Sequence, residues 1–203
     1  MNFWYRFCFG LCRVISLFWH PVIRTTGREL IPAGNVIFCA NHSAMWDPIW
    51  FLLALNSPKM VRMMAKYELS RVPVLSAIMR YFRIIFVRRG EHDTEAYEEC
   101  VRAVRDEEER LLVFIEGTRC NGEKHVRPHT GAVRMAVDAQ APIVPVFITR
   151  NKKPFCPVSV IFGQPMKISV QDSSDHAELQ KQADAVLKTI YQLGGDSYAD
   201  QIG

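Results

Sequence analysis

Four short segments of this chain are apolar at nearly every position rather than at every second one: NVIFCA at 35–40, RIIFV at 83–87, LLVFI at 111–115 and IVPVFIT at 143–149. A strand with one wet face alternates apolar and polar residues, whereas a strand without that alternation has both faces covered. Segments of helical character lie among them at 69–81, 91–110 and 130–140, and another closes the chain at 175–193, just before Gly194 and Gly195. Further strands are expected at 60–65 and 158–162. Strands alternating with helices predict one α/β domain, its mixed, mostly parallel sheet flanked by helices. Pro145 inside the fourth run predicts an edge or bulged strand, because proline cannot donate to a ladder.

The N-terminal 23 residues, MNFWYRFCFGLCRVISLFWHPVI, are strongly apolar and aromatic but interrupted by Arg6, Arg13 and His20. No uncharged run there reaches the roughly 20 residues that span a bilayer, and no small-residue cleavage site follows. On a helix, Arg6, Gly10, Arg13 and His20 make a narrow polar stripe against Phe3, Trp4, Phe7, Leu11, Ile15, Phe18 and Trp19. Such a helix either lies in a membrane interface or packs on the protein's own core. The expectation is the interface, with Pro21 ending the segment.

At 203 residues the chain suits one domain, and its formal charge of +4 is too small for a dedicated nucleic-acid binder. An anionic bilayer surface or substrate would still be favoured. The six cysteines are scattered without a C-x-x-C pair, which predicts reduced thiols on the cytosolic side.

Asn41-His42-Ser43-Ala44-Met45-Trp46-Asp47 lies between a strand end and the helix start Asp47-Pro48. On one continuous helix a separation of five would turn the two side chains about 140° apart. A His42–Asp47 contact therefore needs a loop, which Pro48 favours by keeping the residue before it out of the helical region. A carboxylate on one imidazole nitrogen leaves the other free to take a proton from an alcohol. Asp47 is equally a good N-cap and loop histidines are commonly structural, so spacing alone leaves both roles open. No G-x-S-x-G turn is present.

Glu116-Gly117-Thr118-Arg119 follows a strand and presents a hydroxyl, a guanidinium and backbone N–H groups at its carboxyl end. Arg88 and Arg89 end the preceding strand, and adjacency of the two strands would bring Arg89 near Arg119 as a phosphate clamp. A solvated basic rim is the alternative. Glu123, His125 and His129 suggest a metal, but Pro128 breaks the helix that would align the histidines, so no metal is expected. Cys120 is taken as a packing residue and Lys66 as a surface lysine.

Asn41-His42 with Asp47, Ile85-Phe86-Val87-Arg88-Arg89, Phe114 through Arg119 and Ile143-Val144-Pro145-Val146 occur in the order and spacing of the glycerolipid acyltransferases. The chain resembles the 1-acylglycerol-3-phosphate O-acyltransferase (PlsC-type) group over roughly 27–165. It departs at Arg83, Ile115 and His129, where glycine, proline and lysine are usual.

The resemblance implies a glycerol-3-phosphate acyltransferase-like fold with a membrane-interfacial segment at 1–23 and an acyltransferase domain at 24–203. It implies His42 as general base, Asp47 as its orienting partner, and Arg89, Glu116, Gly117, Thr118 and Arg119 as the acceptor-phosphate site. The implied reaction moves a fatty acyl group from an acyl-CoA or acyl-carrier-protein thioester to the sn-2 hydroxyl of a lysophospholipid acceptor, 1-acylglycerol 3-phosphate, giving phosphatidic acid. It needs no cofactor and takes place at the cytoplasmic face of the cell membrane. Other acceptors, or a silent lipid-binding module of the same fold, are the alternatives.

Overall fold

The computed structural model describes residues 3–20, 22–57, 59–88, 93–120, 126–150, 152–170 and 175–196. The expectations for Pro21, Arg89, Glu91, Glu123 and His125 lie outside these residues, as do the side chains of Phe3, Trp4, Arg6 and Trp19.

Seven strands form one sheet: β1 (Ile23–Thr26), β2 (Val36–Ala40), β3 (Val61–Lys66), β4 (Ile85–Val87), β5 (Arg110–Phe114), β6 (Ile143–Ile148) and β7 (Val158–Phe162). Their spatial order is β1-β7-β6-β2-β5-β3-β4. All neighbours pair in parallel except β6 and β7. Among the described residues six α-helices accompany them: α1 (Phe3–Trp19), α2 (Asp47–Leu55), α3 (Pro73–Tyr81), α4 (Thr94–Arg105), α5 (Gly131–Asp138) and α6 (His176–Leu193). The mixed, mostly parallel α/β sheet expected from the uninterrupted apolar runs is the one observed.

The reason for those runs is visible in β2, where all five residues are buried. Ile37 and Cys39 point into a core closed by α4, α5 and α6, among Val104, Val133, Val186 and Ile190. Val36, Phe38 and Ala40 point into a second core closed by α2, with Trp50, Phe51, Val160 and Phe162. Each buried Val, Ile or Phe side chain contributes about 1.5–3 kcal/mol, so polar residues on either face would be costly.

Three local expectations are corrected. β6 is an interior strand without a bulge, between β2 and β7. Pro145 O accepts Gly163 N–H at 2.8 Å, which turns the proline nitrogen toward β7 one residue past its last paired residue, Phe162. The missing donor therefore falls where the ladder has already stopped. The helix expected at 91–110 ends at Arg105, because Arg110 already belongs to β5. Strand β1 was not anticipated; its four residues, IRTT, carry little apolar signal and are held by β7.

α1 is a helix, and Phe7, Leu11, Val14, Ile15 and Phe18 are exposed on it. His20 does not continue its polar stripe. It lies past the helix end and is buried, its Nδ1–H donating to Cys156 O at 2.9 Å with the ring edge-on to Trp50. No helix among the described residues is long and apolar enough to cross a membrane.

Candidate active site

The carboxyl ends of β2 and β5, adjacent in the sheet, supply the site. Asn41 leaves β2 buried and bonds across β6, donating Nδ2–H to Ile148 O at 2.8 Å and accepting Ile148 N–H on Oδ1 at 2.7 Å. That clamp fixes where the chain emerges as His42.

His42 Nδ1 lies 3.0 Å from Asp47 Oδ2, and the same oxygen accepts Ser43 N–H and Ala44 N–H, each at 2.7 Å. Burial alone would raise the Asp47 carboxyl. Hydrogen bonding to His42, the charge and hydrogen bond of Lys152, and the Ala44 N–H outweigh it and hold the group below the usual carboxylate range. An ionised carboxylate accepts only, so Nδ1 carries the imidazole proton. Nε2 has no hydrogen-bond partner among the described residues, and the His42 side chain is 16% exposed against 0% for Asp47. The ring stacks on Phe114, centroids 4.1 Å apart and planes 21° from parallel. The imidazole thus has one nitrogen fixed and the other without a partner among the described residues.

Asp47 reaches His42 by a route other than the one Pro48 suggested. It is the first residue of α2, and its side chain binds the preceding loop instead of capping its own helix. A turn closed by Asp47 N–H to Ala44 O at 3.1 Å brings the chain round.

Glu116 is fully engaged within the protein: Oε2 accepts His42 N–H at 2.7 Å and Oε1 accepts Tyr191 O–H at 2.6 Å. Burial pushes its carboxyl up, opposed by Tyr191, the His42 N–H, the Cys120 thiol and the charge of Arg150. Cys120 N–H donates to His42 O at 2.7 Å. Gly117 has φ +64°, and a Cβ there would run into the His129 ring. Thr118 and Arg119 are exposed, and Arg119 has no ion-pair partner among the described residues.

Arg89 lies outside the described residues; β4, which ends at Val87, does not adjoin β5, which precedes Arg119. β3 runs between β4 and β5 and brings Lys66 between them, in register with Val87. Two inter-strand spacings, roughly 10 Å, separate the strand ends. Arg88 sits over the Tyr67 ring at 4.4 Å. Among the described residues no group of histidine, cysteine or acidic side chains could hold a metal.

Lys152, from the β6–β7 connection, was not singled out in the sequence. Its Nζ is 2.6 Å from Asp47 Oδ1 and donates to Ser43 Oγ at 2.8 Å. One lysine in a run of basic residues carries no local mark of such a place. A cleft of about 1130 Å³ opens beside the site between α4 and α5, lined by Met64, Val87, Val113, Phe114, Gly117 and Met135 among others. Phe114 is shared between its wall and the His42 ring.

Residues 22–149 match the family model described as Acyltransferase. Over 162 residues the chain is 31% identical to a 1-acyl-sn-glycerol-3-phosphate acyltransferase of Borreliella burgdorferi, covering 78% of this chain and 64% of that protein. It is 26% identical over 130 residues to a lyso-ornithine lipid O-acyltransferase of Pseudomonas aeruginosa, covering 64% and 48%. The chain thus spans under two thirds of the length of both relatives. The fold is shared with the 1-acyl-sn-glycerophosphate (LPA) acyltransferase PlsC of Thermotoga maritima, with a TM-score of 0.67 and 23% identity over 93% of this chain and 80% of that one. The span matched by the family model carries the His42–Asp47 loop and the Glu116–Arg119 turn, and by that match the chain belongs to the Acyltransferase family.

Proposed function

We propose that this chain transfers a fatty acyl group from an acyl-CoA or acyl-carrier-protein thioester to the sn-2 hydroxyl of 1-acylglycerol 3-phosphate, giving phosphatidic acid. One observation carries the chemistry: His42 Nδ1 is tied to Asp47 while Nε2 is left without a partner among the described residues. Nε2 takes the hydroxyl proton as the acceptor oxygen attacks the thioester carbonyl carbon. The tetrahedral intermediate collapses with cleavage of the carbon–sulfur bond, and the departing thiolate takes the proton back from the imidazolium. General-base catalysis contributes roughly 10²–10⁴ in rate, and positioning supplies much of the rest. Arg119, with the backbone of Gly117 and Thr118, is the group we assign to the acceptor phosphate. Glu116 serves them by fixing the turn. The name of the Borreliella relative supports the acceptor, and that of the Pseudomonas relative makes another lyso-lipid the second reading.

We place the enzyme at the cytoplasmic face of the cell membrane. Exposed apolar side chains surround the site edge: Phe18 and Val22 at the end of α1, Met45 and Trp46 in the dyad loop, and Phe155 beside the Cys156 carbonyl that binds His20. Lys66, Arg88, Arg119 and Lys153 are exposed on the same edge, which suits an anionic lipid surface.

The test is acyl transfer by purified protein to lysophosphatidate and to a panel of glycerol 3-phosphate and other lyso-lipids. Phosphatidate is expected, and its formation should fall at least 10²-fold in His42→Ala. Turnover confined to another acceptor would move the assignment to that lipid. Vesicle binding without turnover on any acceptor would leave a lipid-binding module.

A further inference from the structure

We propose that Lys152 is a third, positioning member of the dyad, acting on His42 through Asp47. The proposal rests on the general-base role assigned to His42. Lys152 Nζ lies 2.6 Å from Asp47 Oδ1, the oxygen that His42 does not use, and donates to Ser43 Oγ at 2.8 Å. Ser43 O–H in turn donates to Arg150 O at 3.2 Å, so the lysine ties the dyad loop to the β6–β7 connection that supplies it. The Lys152 side chain is 6% exposed and that of Asp47 0%. The ammonium and the carboxylate are thus both withdrawn from solvent, whereas the His42 side chain stays 16% exposed.

A buried ion pair in which one carboxylate serves both an ammonium and an imidazole has a direct chemical consequence. Alone, a buried carboxylate strongly favours the protonated imidazole, which cannot act as a base. A fixed cation on its second oxygen takes up part of that negative charge. Asp47 then orients Nδ1–H through one oxygen while the ammonium on the other offsets its charge. Burial pulls the Lys152 ammonium below the ordinary lysine range, and the Asp47 charge and hydrogen bond oppose it.

The other charged groups near the dyad come from three elements, and each has partners other than Asp47. Glu116, after β5, binds His42 N–H and Tyr191. Arg150, in the β6–β7 connection, pairs with Asp196 beyond α6 at 3.1 Å and lies over the Tyr191 ring. Lys152 is the cation in contact with Asp47.

The experiment compares Lys152→Met and Lys152→Arg with the wild-type chain by two readouts. Histidine NMR titration follows the His42 resonance, assigned by its loss in His42→Ala, and does not depend on turnover. In Lys152→Met its midpoint should move upward by about one pH unit, the size expected for losing a nearby cation, and in Lys152→Arg it should stay near wild type. In the acyl-transfer assay Lys152→Met should lower kcat at pH 7 about tenfold with KM little changed, and part of the loss should return at higher pH.

Because Lys152→Met strands a buried carboxylate and can fail to fold, the pair is also removed whole in Asp47→Asn/Lys152→Met. If the lysine acts through Asp47, adding Lys152→Met to Asp47→Asn should leave kcat within about twofold. An equal loss in both backgrounds, or an unmoved His42 titration, overturns the proposal. Turnover that depends on His42 but is indifferent to Lys152 would refute this role alone, whereas a wild-type chain inactive on every acceptor would refute the acyl-transfer assignment.

Discussion

Glu116 Oε2 accepts the backbone N–H of His42 at 2.7 Å, so the residue that opens the turn after β5 holds the histidine that follows β2. The two strands are already neighbours; the carboxylate extends their pairing one step beyond the ladder, with Tyr191 of α6 on its other oxygen. His42 is thereby located against the sheet and the C-terminal helix together.

The ionisation of Glu116 makes stability depend on pH in a definite direction. Its folded carboxyl titrates above its ordinary value because of burial, so the folded chain holds that proton more tightly than the unfolded chain. The associated stability is complete below the ordinary range, near 4.5, and is lost as pH rises through the folded value. Glu116→Gln keeps an oxygen for His42 N–H, and the Tyr191 hydroxyl can turn to accept from the new amide. The Tm of Glu116→Gln minus that of wild type should therefore increase between pH 4 and pH 7. A flat or falling difference in thermal melts would contradict the assignment.

Asn41→Ala should destabilise the fold and the site together. Both Ile148 backbone groups that Asn41 binds are buried, and each left unpaired costs about 1–3 kcal/mol. Urea unfolding should show the loss with an unchanged m-value, and kcat should fall because His42 is no longer anchored at the end of β2.

Gly117→Ala tests the turn. A φ of +64° costs a residue with a Cβ about 1–2 kcal/mol, and the added methyl also meets the His129 ring. The variant should melt below wild type, and Gly117→Ala/His129→Ala should recover only the steric part, leaving the backbone cost visible in the same assay.

Arg119→Ala should raise KM for lysophosphatidate about tenfold or more, the loss of one charge-assisted phosphate contact, while leaving KM for the acyl donor near wild type. Arg119 is exposed and unpaired among the described residues, so thermal stability should hold within about 0.5 kcal/mol. Equal changes for both substrates would remove it from the acceptor side.

Much of the architecture was legible because burial writes itself into composition. Val36 to Ala40 read as a doubly covered strand, and each of its faces does meet a different core. The strand β1 was illegible for the converse reason, being short, half exposed and dependent on β7 for its place. Pro145 was misread as an edge signal, since the sequence does not show that β7 ends one residue before the missing donor would matter.

The site divides in the same way. His42 and Asp47 stand five apart, and a local turn suffices to join them, so their pairing was within reach of the sequence. Lys152 stands more than a hundred positions from Asp47, and Tyr191 and Glu116 are likewise remote in the chain; only the packing of β5, β6 and α6 beside β2 brings these groups to the dyad. Strand order also separated Arg88 and Arg119, because sequence proximity of β4 and β5 does not reveal that β3 lies between them. The sequence by itself determined which segments must be buried and which residues can do proton chemistry, since those follow from side-chain type and short-range spacing. The tertiary structure decided which charge faces which, because Coulomb and hydrogen-bond energies depend on distances that only the closed sheet defines.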